Sequence, residues 1–215
     1  MNEPAPKAAS FLKLSRDAVR RWLPPTARDR LEAWVVDRKV RRSSDRRHMR
    51  QVLIPALGRH GGNLLFVGCR RYTAAYPDAF ARGGATCWTL DIDPDAACWG
   101  AKGRHVVAGV EASTSVFAPG FFQTIVLSGV FGFGVDGASA QTAALDACAS
   151  ILAEGGLLIL GWNTDRVADP SALPALSRWY RPAGAKVGLA DRTTFPDGTH
   201  VYDVLERLPD PRDRP

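Results

Sequence analysis

Residues that could bind a ligand follow two short apolar segments of this 215-residue chain. The first segment, residues 63–67, ends at Gly68, and Arg70 and Arg71 come directly after it. Gly68 would let a ligand approach the backbone, and the arginines with the next helix N-terminus would favour an anion. The second segment ends at Asp91, where a carboxylate can accept hydrogen bonds from both hydroxyls of a ribose. Asp91 lies 23 positions after Gly68, a spacing that favours a nucleoside-binding site, and the alternative role of Asp91 is to cap the helix that begins at Pro94.

Three later apolar segments also end in residues suited to a binding site. Gly109-Val110-Glu111 follows the third segment, and residues 128–134, with three glycines and two phenylalanines, follow the fourth. A flexible aromatic segment of this kind can line a flat apolar ligand, or it can form a tight loop packed on the core. Trp162 and Asn163 follow the fifth segment and add an aromatic ring and an amide.

The elements that carry these residues alternate along the chain. Each apolar segment is short and continuous, which is typical of a buried strand, and helices are predicted between them. This alternation predicts an α/β fold with a doubly wound parallel sheet, in which the carboxyl ends of the strands share one cleft. The predicted strands are 63–67, 85–90, 105–108, 124–128 and 157–161, and the helices lie near 73–82, 94–101, 112–118 and 139–153.

The C-terminal third departs from this alternation. A helix is predicted at about residues 171–180, followed by strands at 185–190 and 200–208 that a turn at Pro196-Asp197-Gly198 joins. No helix fits between these two strands, so the last strand should run antiparallel to the others. The prediction is therefore a mostly parallel, seven-stranded sheet.

Composition places the chain among ordinary globular proteins. Hydrophobic residues make up 46% and charged residues 23%, which excludes a disulfide miniprotein, a collagen-like chain and a wholly disordered one. The four cysteines form no C-x-x-C pair and none lies near a histidine at metal-ligand spacing, so we expect no metal site and a reducing, cytoplasmic location. No segment is apolar enough to predict a membrane span.

Charge divides the chain into a basic arm and a near-neutral body. Residues 1–50 contain 14 Lys or Arg and 6 Asp or Glu, a balance of +8, which leaves −2 for the rest of the net +6. The predicted organisation is a disordered lead-in (1–9), a basic helical arm (10–58), a domain (59–208) and a tail (209–215). The arm could bind nucleic acid, contact an anionic membrane, cover the ligand site, or pack on the body as a solvated helical face.

Residues 45–208 resemble a class I S-adenosylmethionine-dependent methyltransferase. The resemblance rests on the segments NLLFVGC, TLDIDP, TIVLSGVFGFGVD and LAEGGLLILGWN. The most specific of these is Leu152–Leu157, which is similar to the family's L-x-P-G-G turn with Glu154 in place of proline. A terminal antiparallel strand is also a family trait. The resemblance implies S-adenosylmethionine as cofactor and methyl transfer as the reaction.

The resemblance also implies roles for particular residues. The family usually shows G-x-G-x-G after the first strand, whereas here Arg70 and Tyr72 follow Gly68. Either Arg70 or Tyr72 reaches the methionine portion of the cofactor and compensates, or the fold has lost its ligand. The hypothesis requires that neither side chain fills the hollow and that Asp91 faces it. The implied contacts are Gly68, Cys69, Arg70 and Tyr72 at the methionine moiety, Asp91 at the ribose, Ile92, Val110 and Glu111 at the adenine, and Ser128 and Gly129 under the sulfonium.

An acceptor pocket is predicted beside this site. Aromatic residues with an arginine would suit a ring-bearing or anionic acceptor, and short methyltransferases of this appearance often act on sugars, lipids or other small metabolites. Polar candidates for a general base are Asp136, Asn163, His105 and His200. The predicted pocket residues are Phe131, Phe133, Asp136, Trp162 and Asn163, with Trp179, Tyr180, Arg181 and the arm as further contributors.

Two other functions compete with a small-molecule methyltransferase. One is a non-catalytic binding or scaffold protein of the same fold that uses the basic arm. The other is an RNA methyltransferase, which would use both halves of the chain. Against the latter, Ser128-Gly129-Val130-Phe131 stands where the family's base-amine enzymes have an N-P-P-type tetrapeptide.

Overall fold

The computed structural model describes residues 42–210, and all statements on structure concern that range. Its centre is one mixed sheet of eight strands, in the order β3-β2-β1-β4-β5-β8-β6, with β7 paired to β8 beside this path. β1 to β5 are parallel to one another, and β8 is antiparallel to β5. The strands are β1 Gly62–Val67, β2 Ala85–Asp91, β3 His105–Val107, β4 Phe122–Ser128, β5 Leu152–Asn163, β6 Tyr180–Pro182, β7 Arg192–Thr194 and β8 His200–Arg207.

The strand order reverses between β1 and β4. β2 and β3 extend the sheet on one side of β1, while β4, β5 and β8 extend it on the other. The connections after β1 and β4 therefore leave the sheet in opposite directions and open a crevice at the carboxyl ends of these strands. This reversal positions the site described below.

Helices cover both faces of the sheet. The longest, α4 (Ala138–Ile151), has the apolar residues Leu145, Cys148 and Ile151 buried against one face. The other face packs against the first helices and α3 (Tyr76–Gly83), with Met49, Leu57 and Phe80 in its core. The helices are α1 Ser44–His48, which continues through a π-helical segment Met49–Leu53 into α2 Ile54–His60, then α3 Tyr76–Gly83, α4 Ala138–Ile151 and α5 Pro174–Trp179.

The first helices belong to the domain. Met49, Leu53 and Leu57 are fully buried in the core that also contains Phe66 of β1. Residues 44–58, which the sequence analysis assigns to the basic arm, are therefore part of the sheet domain, because their apolar stripe is one wall of its core. Residues 10–41 of the predicted arm, the lead-in and the end of the tail lie outside the described residues.

Several predicted elements differ in detail from the structure. The predicted strand at 185–190 is wrong: Gly184–Val187 forms a short 3-10 helix, and the strand that precedes the turn at Pro196-Asp197-Gly198 is β7. The predicted helices at 94–101 and 112–118 are 3-10 helices, Pro94–Trp99 and Val110–Ser115. Within residues 42–210, the helices are all too short or too polar to cross a membrane.

Candidate functional site

A cavity of about 350 Å³ opens at the carboxyl ends of the strands on both sides of the reversal. Its floor is formed by the ends of β1 and β2, and one wall by the loop after β4. The other wall is α4, which presents the small side chains Ala140 and Ala143. Eight of the sequence-predicted site residues line it: Gly68, Arg70, Asp91, Ile92, Val110, Glu111, Gly129 and Phe133.

Asp91 is the buried charge of this cavity, with 4% of its surface exposed. Its Oδ2 accepts a hydrogen bond from the backbone N–H of Cys69 at 2.7 Å, and its Oδ1 accepts one from the backbone N–H of Asp93 at 2.9 Å. These two bonds hold the carboxylate at the end of β2 and tie the turn after β1 to it. A carboxylate has about four acceptor positions, so Asp91 keeps capacity for a ligand.

Arg70 lies beside this carboxylate. Its Nη1 is 2.9 Å from Asp91 Oδ2 and also donates to the backbone carbonyl oxygen of Cys69 at 2.6 Å. The side chain is 46% exposed, and the cavity stays open around it. Arg70 therefore lines the hollow and partly masks Asp91, but it does not fill the space. The requirement that Asp91 face an open cavity is met.

Gly68 lies where the turn after β1 passes close to the end of β4. Its φ is +92°, and a Cβ at this position would lie 3.1 Å from the carbonyl oxygen of Ser128. A side chain is excluded both by the left-handed backbone and by the neighbouring strand end. The following Cys69 is buried, and burial with the nearby Asp91 charge raises the pKa of its thiol to about 12. Cys69 is thus a neutral structural residue whose backbone N–H serves the site.

The rest of the cavity wall is apolar. Ile92 is 72% exposed at the rim, and Val110 lies buried opposite it. Phe133 is half-exposed, with the Arg166 guanidinium 5.0 Å from its ring centre. Such walls suit a flat apolar ring. Sequence reasoning missed Val135, Ala140 and Ala143, because small apolar residues carry no chemical signature.

Several predicted acceptor residues lie elsewhere. Phe131 is fully buried in the core, and Trp162 is buried with its indole N–H donating to Asp203 Oδ2 at 2.8 Å. Asp136 is exposed outside the cavity lining. These corrections share a reason: side-chain direction follows strand alternation and loop path, which spacing alone does not determine. Trp179, Tyr180 and Arg181 bond to Asp146, the Leu145 carbonyl and Glu206, respectively.

Other predicted residues face a second location on the opposite side of the sheet end. The Arg46 guanidinium lies over the Tyr72 ring, 5.0 Å from the centre of that ring. Tyr72 does not line the cavity. Ser128 and Asn163 also lie outside the cavity lining, near His200. His105, on β3, is hydrogen-bonded to Thr89 at 2.9 Å and lies away from this group. Arg46 is a residue that sequence reasoning missed.

The fold matches solved methyltransferase structures at low sequence identity. The N-methyltransferase NodS from Bradyrhizobium japonicum WM9, in complex with S-adenosyl-L-homocysteine, is similar with a TM-score of 0.61 and 16% identity, over 80% of this chain and 91% of that one. A TehB-like SAM-dependent methyltransferase from Corynebacterium glutamicum matches with a TM-score of 0.55 and 16% identity, over 86% and 100%.

A third similar structure is the 1,6-didemethyltoxoflavin-N1-methyltransferase of Burkholderia thailandensis, with a TM-score of 0.53 and 14% identity over 97% of this chain and 94% of that one. No protein-family model matches the chain, and no curated protein matches its sequence. The chain therefore has the fold of class I SAM-dependent methyltransferases, which confirms the predicted fold class.

Proposed function

We propose that this protein is an S-adenosylmethionine-dependent methyltransferase that acts on a small-molecule acceptor. The observation that carries the proposal is the buried Asp91 carboxylate, which faces an apolar cavity at the point where the strand order reverses. A buried carboxylate beside apolar walls suits a nucleoside, because the sugar hydroxyls donate hydrogen bonds while the base needs an apolar slot.

The hydrogen-bonding groups and the apolar walls of the cavity suit S-adenosylmethionine. Ile92 and Val110 would bound the adenine, and Asp91 would accept from the ribose hydroxyls. Asp91 Oδ1 accepts from the Asp93 N–H and has one acceptor position free. If Arg70 moved away, Oδ2 would also have one acceptor position free. A displaced Arg70 guanidinium would then be available for the carboxylate of the methionine portion, which compensates for the missing glycines of the first turn.

The cofactor, when bound, supplies a methyl group already activated on a sulfonium. The chain's contribution is then to hold an acceptor in line with the methyl–sulfur bond and to exclude water. Gly129, which lines the cavity beside the turn after β1, leaves the backbone accessible at this point.

A small-molecule acceptor is favoured by the similar structures and by the site. The Burkholderia enzyme was solved with bound 1,6-didemethyltoxoflavin, a small molecule. The half-exposed Phe133 at the rim offers a ring for stacking on such an acceptor.

Calorimetric titration with S-adenosylhomocysteine tests the cofactor assignment. The wild type should bind with a dissociation constant on the order of micromolar, and Asp91→Asn should weaken binding about 5- to 150-fold, which corresponds to about 1–3 kcal/mol for a lost charge-assisted bond. Asp95→Asn, an exposed acid on the following 3-10 helix, is the matched control and should leave binding unchanged. A wild type that releases no binding heat at several temperatures would favour the non-catalytic scaffold instead.

A further inference from the structure

Three strands bring polar side chains together over a glycine. Ser128 of β4 pairs in register with Gly161 of β5, and Gly161 pairs with Tyr202 of β8. Residues in one such row point to the same face of the sheet. Gly161 has no side chain, so its neighbours converge above it: a Cβ there would lie 2.5 Å from Ser128 Oγ and 3.0 Å from His200 Nε2.

The polar atoms at this place are buried. His200 Nε2 finds no hydrogen-bond partner among residues 42–210, and Ser128 Oγ and the Tyr202 hydroxyl have none apart from each other. The exposed fractions of Ser128 and His200 are only 5% and 4%. An unsatisfied buried group is costly, so the unpaired imidazole nitrogen indicates a site that a ligand completes.

Asn163 sets the tautomer of His200. The Asn163 amide nitrogen donates to Thr199 Oγ1 at 3.0 Å, which leaves its Oδ1 facing His200 Nδ1, also at 3.0 Å. With the amide in this orientation Nδ1 carries the proton, and Nε2 of the neutral ring presents a lone pair on the side of Ser128. An imidazole whose orientation is held by an amide or carboxylate is the usual arrangement of a general base.

The charges around His200 favour the neutral ring. Burial, then the Arg46 guanidinium, lowers the pKa of His200 to about 4, while Asp45 opposes this shift. Arg46 lies nine-tenths buried and pairs with Asp45, Nε to Oδ2 at 3.3 Å. Other titratable groups at this place are the phenols of Tyr72, Tyr76 and Tyr202, which interact with Arg46, and the imidazole of His48, which stacks on Tyr202.

This location adjoins the cofactor cavity. Gly129, which lines the cavity, directly follows Ser128 in the chain. The Arg46 Nη2 atom would lie 4.0 Å from a Cβ at Gly129. The apolar cavity thus lies on one side of the end of β4, and the polar side chains around His200 lie on the other side.

We propose that His200, with Ser128 and Arg46, forms the acceptor end of the active site, and that His200 Nε2 is its general base. This inference rests on the proposed function. The substrate class is a small molecule that reacts through a hydroxyl or an N–H and carries an anionic group near it, which Arg46 would bind. Acceptors that need no base, such as thioethers, do not require this arrangement.

The step balances with the groups named. The acceptor's lone pair forms a bond to the methyl carbon as the carbon–sulfur bond breaks and its electron pair returns to sulfur. The O–H or N–H proton passes to His200 Nε2, giving an imidazolium that Asn163 Oδ1 stabilises through Nδ1–H and that later releases the proton to water.

Sinefungin is the probe for this location, because it would place an amine where the cofactor carries its methyl group. In wild-type protein with ¹⁵N-labelled histidine, we expect His200 to show the Nδ1–H tautomer and its Nε2 resonance to shift with sinefungin but not with S-adenosylhomocysteine. Sinefungin should also bind at least about tenfold more tightly than S-adenosylhomocysteine, the effect of one desolvated hydrogen bond.

His200→Phe keeps a ring and removes both nitrogens, so it should abolish this preference while S-adenosylhomocysteine binds as before. His60→Gln, an exposed histidine, is the matched control. An Nε2–H tautomer, an unmoved Nε2 resonance with sinefungin, or an unchanged preference in a folded His200→Phe would each overturn the inference. A wild type that does not bind S-adenosylhomocysteine overturns the proposed function itself, which is a separate result.

Discussion

Arg70 and Asp91 form an ion pair at the point where a nucleoside sugar would bind. The pair joins Nη1 and Oδ2 at 2.9 Å, and Arg70 also bonds to the Cys69 carbonyl. A sugar that uses Asp91 fully must displace one of these bonds. Arg70 would therefore oppose ligands that offer only a nucleoside and favour ligands that also offer a carboxylate, since the carboxylate replaces the lost ion pair.

Arg70→Met tests this exchange with two ligands that share the nucleoside. Methylthioadenosine lacks the amino-acid portion, whereas S-adenosylhomocysteine has it. We expect the variant to bind methylthioadenosine more tightly than the wild type does and S-adenosylhomocysteine more weakly, each by about 3- to 30-fold for one exposed charged contact. Calorimetry measures both constants. Parallel changes for the two ligands would contradict a carboxylate role for Arg70, and the exposed Arg71→Met is the control.

At the scale of elements, the site depends on two helices that cross at glycines. A Cβ at Gly58 of α2 would lie 2.9 Å from the Cα of Gly83 at the end of α3. Backbone contact at this crossing lets α2 sit close to α3 and keeps Leu57 and Phe80 in one core. This contact positions α3, the helix that follows β1, and the end of β1 forms part of the cavity floor.

Gly58→Ala should destabilise the domain although alanine is the better helix former. Overpacking against rigid backbone costs about 1–3 kcal/mol, which outweighs a propensity gain of up to about 1 kcal/mol. Urea denaturation monitors the change in the free energy of unfolding. Gly198→Ala is the control, because a Cβ there meets nothing within 4 Å. Equal stability of the two variants would show that α2 and α3 can move apart at this crossing without a loss of unfolding free energy.

At the scale of the whole molecule, buried histidine links stability to pH. The pKa of His200 is about 4 in the folded protein and about 6.5 when unfolded, so the unfolded chain binds more protons between these values. Stability must then fall as pH falls through this window. Salt bridges hold the pKa values of Asp169 and Glu206 below their usual range, and their contributions are lost at still lower pH.

We expect His200 alone to cost about 2 kcal/mol of unfolding free energy between pH 7.5 and pH 5. His200→Phe should lose less stability over this interval than the wild type by that amount, as measured by urea denaturation at both pH values. Burial and Lys186 also lower the pKa of the exposed His60, but less than that of His200, so His60→Gln should change the dependence by a smaller amount. Identical pH dependence in His200→Phe and wild type would mean that the pKa of His200 is the same in the folded and unfolded protein.

The sequence by itself determined the strands of the parallel sheet and the residues at their carboxyl ends. Continuous apolar segments bury both faces of a strand, so β1, β2, β4 and the position of Gly68 and Asp91 follow from local pattern. The short C-terminal strands were misplaced, because a three-residue strand such as β7 has too few residues to show a period and exists only through its pairing with β8.

Only the tertiary structure decided which side chains meet. Trp162 and Asn163 are neighbours in the chain, yet strand alternation sends the indole into the core and leaves the amide beside His200. Ser128 and His200 are far apart in sequence and converge because β4, β5 and β8 lie side by side in one register, and Arg46 joins them from α1, which packs on this face of the sheet. Register between distant strands is set by the packing of the whole core, and local composition carries no record of it.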